Sequence, residues 1–186
     1  MKINHLALKA IYLHEMDRFR RTLTQSLLSP VLTTSLYFIV FGSVIGGYVE
    51  KIDGISYGSY IVPGLLMLTL LTQSISNTSF GIFFPKFNGT IYEILAAPIS
   101  TFEVVLAFVG AGATKTLIVS IVIFITSLFF VDVQVKYPLL MIFLLILVAF
   151  TFALFGFLIG LMSSDFEQMS IIPTLFITPM VFLGGS

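Results

Sequence analysis

Long stretches without a single charge constrain this chain more than any other feature. Leu27–Gly47, Ser59–Phe84 and Pro138–Met162 hold no Asp, Glu, Lys or Arg, and Val104–Val131 holds only Lys115. Crossing the hydrocarbon of a bilayer takes roughly 20 apolar residues. A charge at the centre of such a span costs about 2.5–3.5 kcal/mol. These four runs therefore read as spans. A fifth begins near Ser170 and reaches Ser186, closing on Phe-Leu-Gly-Gly-Ser with no polar flank, so the chain is expected to stop in or just after a span. Composition agrees: 58% of residues are hydrophobic and 10% charged, against about 25% charged in soluble domains. Such a chain cannot cover a soluble surface. The expected architecture is an all-α, polytopic membrane helix bundle.

Several function classes fall away at once. Without cysteine there is no disulfide, thiolate metal site or Cys nucleophile. The formal net charge is zero, which argues against nucleic acid as a partner. His14-Glu15 starts like a zincin helix, but Arg18 stands where the second His belongs. Gly110-Ala-Gly-Ala-Thr-Lys115-Thr116 hints at a phosphate loop. That loop needs Gly directly before the Lys, between strand and helix. Here Thr114 precedes Lys115 inside an apolar run. No cofactor is expected on this chain, and ATP-driven work would need a second polypeptide.

Lys and Arg set the orientation. Lys2, Lys9, Arg18, Arg20 and Arg21 precede the first span, whereas Lys51 and Lys136 are alone in their loops. The positive-inside rule places the N-terminus, Pro85–Glu103 and Ser163–Met169 in the cytoplasm. Leu8, Tyr12, Met16, Phe19, Leu23 and Leu27 recur at helical spacing, with Asp17 and Arg21 one turn apart. This helix is either a solvated extension of the first span or an interfacial helix with its arginines at the headgroups. Ser29-Pro30 reads as the start of the spanning helix.

Inside the spans, polar groups need an explanation. Lys115 sits about 20 Å along a helix that starts at Thr101. It either snorkels or forms an ion pair, or it belongs to a substrate path. Gln73 and Asn77 share one face of the second span; they either satisfy each other and a neighbouring helix or line a polar cavity. Gly42-x-x-x-Gly46 and Gly156-x-x-x-Gly160 allow close helix approach, read first as packing within the bundle.

The segment Phe84–Glu103 is too polar for a span and too patterned for a plain loop. Asn88-Gly89 signals a turn. From Thr90 on, Ile91, Ile94 and Leu95 line one helix face, with Glu93 off it. Pro98 stops this helix, and Ser100 and Glu103 form a capping box for the next. It either floors the bundle or docks a soluble partner through Tyr92 and Glu93.

Tyr60-Ile-Val-Pro-Gly-Leu-Leu66, the block from Asn77-Thr-Ser-Phe-Gly through Pro98, and Ile177-Thr-Pro-Met-Val-Phe-Leu-Gly-Gly-Ser186 together resemble the type-2 ABC transporter permease family. The likeness is strongest to its bacterial lipo-oligosaccharide and drug exporter branch, and it covers nearly the whole chain, 1–186. It implies a six-span domain, five spans of which are present, with an N-terminal interfacial helix and a cytoplasmic coupling helix. The coupling helix falls on Thr90–Pro98: Thr90, Ile91, Tyr92, Glu93, Ile94, Leu95 and Pro98 would form the ATPase interface. The resemblance further implies a dimer with a second permease copy, two cytoplasmic ATPase subunits that bind ATP and Mg, and export of an amphiphilic substrate across a bacterial inner membrane. Gln73, Asn77 and Lys115 are candidates for the substrate pathway. Two alternatives differ in class: an ATP-independent channel or carrier built around Lys115, and a membrane-embedded transferase using Asp165 and Glu167.

Overall fold

The computed structural model describes residues 4–40, 57–133 and 135–183. The first span's reach to Gly47, the Gly42-x-x-x-Gly46 motif, Lys2, Lys51 and the closing Gly-Gly-Ser lie outside these residues. Among the described residues seven helices follow one another: α1 (His5–Arg21), α2 (Leu23–Tyr37), α3 (Tyr57–Asn88), α4 (Ile91–Ala96), α5 (Thr101–Leu128), α6 (Pro138–Met162) and α7 (Phe166–Leu183). The described residues contain no strand. Among the described residues four helices are long and apolar enough to cross a membrane: Leu23–Val40, α3, α5 and α6. The fifth expected span falls on α7, a helix outside those four, which packs on α3 through Ile177 and Met169 against Ile75 and Phe83.

Helix ends follow the sequence where caps are explicit. Ser100 accepts the Glu103 N–H at 3.3 Å, and the Glu103 carboxylate accepts the Ser100 N–H at 2.7 Å, closing the capping box. Pro138 sits at the first turn of α6, where its missing N–H costs nothing. The start of α2 differs from expectation. Its helix begins at Leu23 and carries Pro30 in its interior rather than at its first turn. The break falls at Thr22, whose hydroxyl donates to the Arg18 and Phe19 carbonyls and whose N–H donates to Phe19. Spanning helices tolerate such an internal proline because neighbours and local adjustment satisfy the freed carbonyl. Likewise α3 runs through Pro85 to Asn88, one turn beyond the expected end at Phe84.

α3 is the axis of the bundle. α6 runs parallel to it: Gly156 lies on the Ile75 backbone and Gly160 on Ser79 and Ile82, one turn apart on both helices. The Gly156-x-x-x-Gly160 motif thus serves packing within the chain. α5 runs antiparallel to α3, joining Val62 and Leu66 to Val119 and Ile123 near one end, and Ile82 to Phe108 and Val109 near the other. At the first end, Val131 fills the space beside Gly58, and Ser59 donates to the Asp132 carbonyl at 3.1 Å. At the second, Lys86 donates to the carbonyls of Leu161 and Ser163, both at 2.8 Å, and so caps α6.

α1 lies alongside α5. Partners advance in step along the two helices, Asn4 with Glu103, Tyr12 with Thr114 and Glu15 with Lys115, so they run parallel. α1 is an element of its own, ending at Arg21 before the break at Thr22, and it runs along α5. Its apolar stripe gains a neighbour that the periodicity did not predict: Phe19 is buried, and Leu8, Tyr12 and Met16 are half-buried. Asp17 pairs with Arg20 at 3.6 Å rather than with Arg21.

Candidate functional site

Two places concentrate the chemistry. The first is α4, at the end where α3 meets α5. Gly89 takes a positive φ of 80° and turns the chain out of α3. Ala97 is extended, as the residue before a proline must be, so Pro98 ends the helix at Ala96. Ile91 and Ile94 are half-buried against the core that holds Phe108 and Val109. Tyr92 is 73% exposed and Leu95 69% exposed, with Glu93 beside them on the open side. Leu95 was expected on the apolar face with Ile91 and Ile94. A six-residue helix lying on a narrow support has room for two anchors only, and the third apolar residue turns outward. Thr90 sits at the cap position, its hydroxyl reaching back to the Pro85 carbonyl at 3.4 Å.

The second place is a charged waist where α1, α3 and α5 meet. Lys115 Nζ lies 2.7 Å from Glu15 Oε2, and Arg18 is 3.1 Å from the same oxygen. Glu15 and Lys115 are both buried. The carboxylate rests directly on α3: a Cβ at Gly81 would lie 3.4 Å from Glu15 Oε2. Arg18 also leans over the Phe84 ring at 5.9 Å. Just beside this group, the Tyr12 hydroxyl donates to Thr114 Oγ1 at 3.1 Å. Of the alternatives for Lys115, the geometry is that of a buried ion pair.

Asn77 and Gln73 come together as expected from their spacing. Asn77 Nδ2 donates to Gln73 Oε1 at 3.5 Å and to Thr116 Oγ1 of α5 at 3.3 Å. Ser74, Thr78 and Ser120 are buried among the same helices. Lys115 does not join this polar seam. Consecutive helical residues point about 100° apart, so Thr116 faces α3 while Lys115 faces α1. Asp165 and Glu167 are exposed, and among the described residues no group of three or more His, Cys, Asp or Glu could hold a metal ion.

Sequence reasoning missed three residues. Glu15 falls between Tyr12 and Phe19, at spacings of three and four, which placed it beside the apolar stripe; that was the available signal. Asn4 caps α1 through its side chain, accepting the Ala7 N–H at 3.2 Å. It also ties α1 to α5: its backbone N–H donates to Glu103 Oε1, and its Nδ2 donates to the Pro98 carbonyl at 3.3 Å. Lys86 is the cap of α6, a partner that stands 75 to 77 residues away in sequence.

Three comparisons bear on identity. The family model described as "ABC-2 type transporter" matches residues 7–186. The inner membrane transport permease YadH of Escherichia coli (strain K12) is 39% identical over 185 residues, covering 100% of this chain and 72% of that protein. Nodulation protein J of Rhizobium meliloti (strain 1021) is 24% identical over 181 residues, covering 95% of this chain and 68% of that protein. Nodulation protein J of Rhizobium leguminosarum bv. viciae is 22% identical over 183 residues, with 95% and 69% covered. No solved structure matches. With the apolar helices and the whole-chain match taken together, this chain belongs to the ABC-2 type transporter family and is a multi-pass membrane transport permease.

Proposed function

We propose that the chain is the membrane half of an ATP-driven exporter, docking a cytoplasmic ABC ATPase through α4. The observation that carries this is the length of the α3–α5 hairpin. From Gly58 to Asn77, α3 measures about 28 Å, close to the roughly 30 Å of a hydrocarbon core. The rest of α3 continues for about 16 Å beyond that level. Measured from Gly58, a hydrocarbon layer of that thickness would end near the waist, where charges are tolerated, with α4 beyond it. An amphipathic helix held clear of the bilayer, with Tyr92, Glu93 and Leu95 open, is shaped to meet a soluble subunit.

Charge supports the orientation. Of the seven described Lys and Arg, six lie on α1, at the α4 end of α3 or at Lys115, and only Lys136 lies at the other end. By the positive-inside rule the α4 end and the N-terminus face the cytoplasm. ATP and Mg bind on the ATPase subunits. Two permease copies and two ATPases make the working unit in the bacterial inner membrane. The cargo class is amphiphilic: a lipid-linked glycan, a lipo-oligosaccharide or a hydrophobic drug. Gln73 and Asn77 remain the pathway candidates. Lys115 is the weaker one, because its ammonium is already engaged by Glu15.

The test is capture of the ATPase. Tyr92→Ala and Glu93→Ala are expected to weaken co-purification of the cognate ATPase while the permease inserts normally. Undiminished co-purification and ATP hydrolysis in both variants would sink the assignment of α4.

A further inference from the structure

We propose that Asn88 is a site of spontaneous deamidation, and that its product rebuilds the turn that aims α4. Asn88 is the last residue of α3 and is exposed. Among the described residues no hydrogen bond holds its side-chain amide. The residue that follows is Gly89, with no Cβ to shield its nitrogen. Its φ is 80°, and nothing lies within 4 Å of the place a Cβ would take. The Gly89 N–H donates to the Lys86 carbonyl at 3.4 Å, longer than the roughly 2.7–3.2 Å of a firm bond. Little crowds this nitrogen and little holds it back.

The Gly89 nitrogen attacks the side-chain carbonyl carbon of Asn88 and gives up its proton to water. The new C–N bond closes a five-membered succinimide, and the side-chain amide nitrogen leaves as ammonia. Water then adds to one of the two ring carbonyls and breaks that carbon's bond to the ring nitrogen. One opening gives Asp; the other gives isoaspartate, in which the main chain runs through the former side chain. Either product puts a negative charge at the C-terminus of α3, where the helix dipole opposes it. Isoaspartate also lengthens the backbone of the turn by one carbon. The other two asparagines of the 186 residues lack this setting. Asn77 lies inside α3, its amide donates to Gln73 and Thr116, and the branched Thr78 follows it. Asn4 accepts the Ala7 N–H and donates to the Pro98 carbonyl, and His5 follows it. They serve as internal controls.

The test ages the folded, full-length permease in lipid nanodiscs at mildly alkaline pH. Peptides are then quantified by mass spectrometry with Asp and isoaspartate separated, and isoaspartate is confirmed by methylation with an isoaspartyl methyltransferase. Asn88 should convert at least about tenfold faster than Asn77, where opening a helix turn adds to the barrier, and faster than Asn4. Both products should appear. Conversion at Asn88 no faster than at the other two overturns the site, and Asp without isoaspartate overturns the succinimide route. Asn88→Gln, one methylene longer, should stay unconverted over the same period. The effect on α4 rests on the coupling reading; the modification itself does not. Partly converted permease is therefore offered to fresh cognate ATPase, and the captured and uncaptured fractions are compared. Isoaspartate should be depleted from the captured fraction, and aged Asn88→Gln should be captured as well as fresh. Equal isoaspartate in both fractions overturns the effect on the turn. If fresh permease captures no ATPase, the coupling reading fails while the peptide measurement still decides the site.

Discussion

α3 is held on two sides by unlike means. Against α6 the contact is steric: Gly156 and Gly160 let the two backbones touch at Ile75 and Ser79, and no side-chain hydrogen bond crosses that stretch among the described residues. Against α5 and α1 the contact is polar. Asn77 donates to Thr116 and the Glu15–Lys115–Arg18 group rests on Gly81, while Thr78 closes on Gly112 by shape. In lipid, helices gain little from apolar burial, so close packing and interhelical hydrogen bonds take over as the glue. Along Gly156–Gly160 the steric side depends on shape, with Lys86 adding a polar tie only at the end of α6, and it suits a fixed joint. The polar side has partners that can be exchanged one at a time, and it is the side that continues to α4.

The sharpest way to break the contrast is at the waist. Removing one partner of a buried ion pair costs about 3–5 kcal/mol, because a bare charge is left behind. Glu15→Gln should fall toward the upper end, since it leaves Lys115 buried next to Arg18. Lys115→Met should cost less, because Arg18 still engages Glu15. Glu15→Gln/Lys115→Met should recover most of the loss. Unfolding of the purified protein in detergent, followed by circular dichroism, reads all three. Equal losses in both single variants would mean that Arg18 contributes nothing.

On the steric side, Gly156→Ala would put a Cβ 2.5 Å from the Ile75 carbonyl oxygen, and Gly160→Ala one 2.6 Å from that of Ser79. Backbone cannot step aside as a side chain can. Each change should destabilise by about 1–3 kcal/mol, read by the same unfolding assay. At Gly112 the obstacle is the Thr78 side chain instead. Gly112→Ala should therefore be partly relieved by Thr78→Ala, with a coupling of about 0.5–3 kcal/mol in a double-mutant cycle. Strict additivity would show that the seam yields elsewhere. The smallest effect is expected at Asp17→Asn. Its exposed pair with Arg20 is worth about 0–1 kcal/mol and less in salt, so stability should hardly move.

Local features of the sequence were the legible ones. Pro138–Met162 matches α6 residue for residue, because a proline opens it and Ser163 closes it. The Ser100–Glu103 box gave the start of α5, and Asn88-Gly89 gave the turn into α4. The α2 start was misplaced because Pro30 carries a strong boundary signal, while Thr22 carries a weak one. Leu95 was misplaced because a face three or four residues wide cannot show how much support lies beneath it. Lys115 could be seen as a charge in need of a partner. Its partner could not be seen, because Glu15 stands 100 residues away on a helix whose neighbour was unknown.

Sequence alone determined that this chain spans a membrane as helices, where the spans on α3, α5 and α6 lie, which ends carry the positive charge, and that a capped amphipathic helix stands between two of them. Those properties follow from hydropathy, charge and capping, which act over one or two turns. Tertiary structure alone decided that α1 runs along α5, that Lys115 answers Glu15, and that α3 is gripped sterically on one side and by polar contacts on the other. Such pairings depend on which helix faces come together, and no local stretch of sequence encodes its distant neighbour.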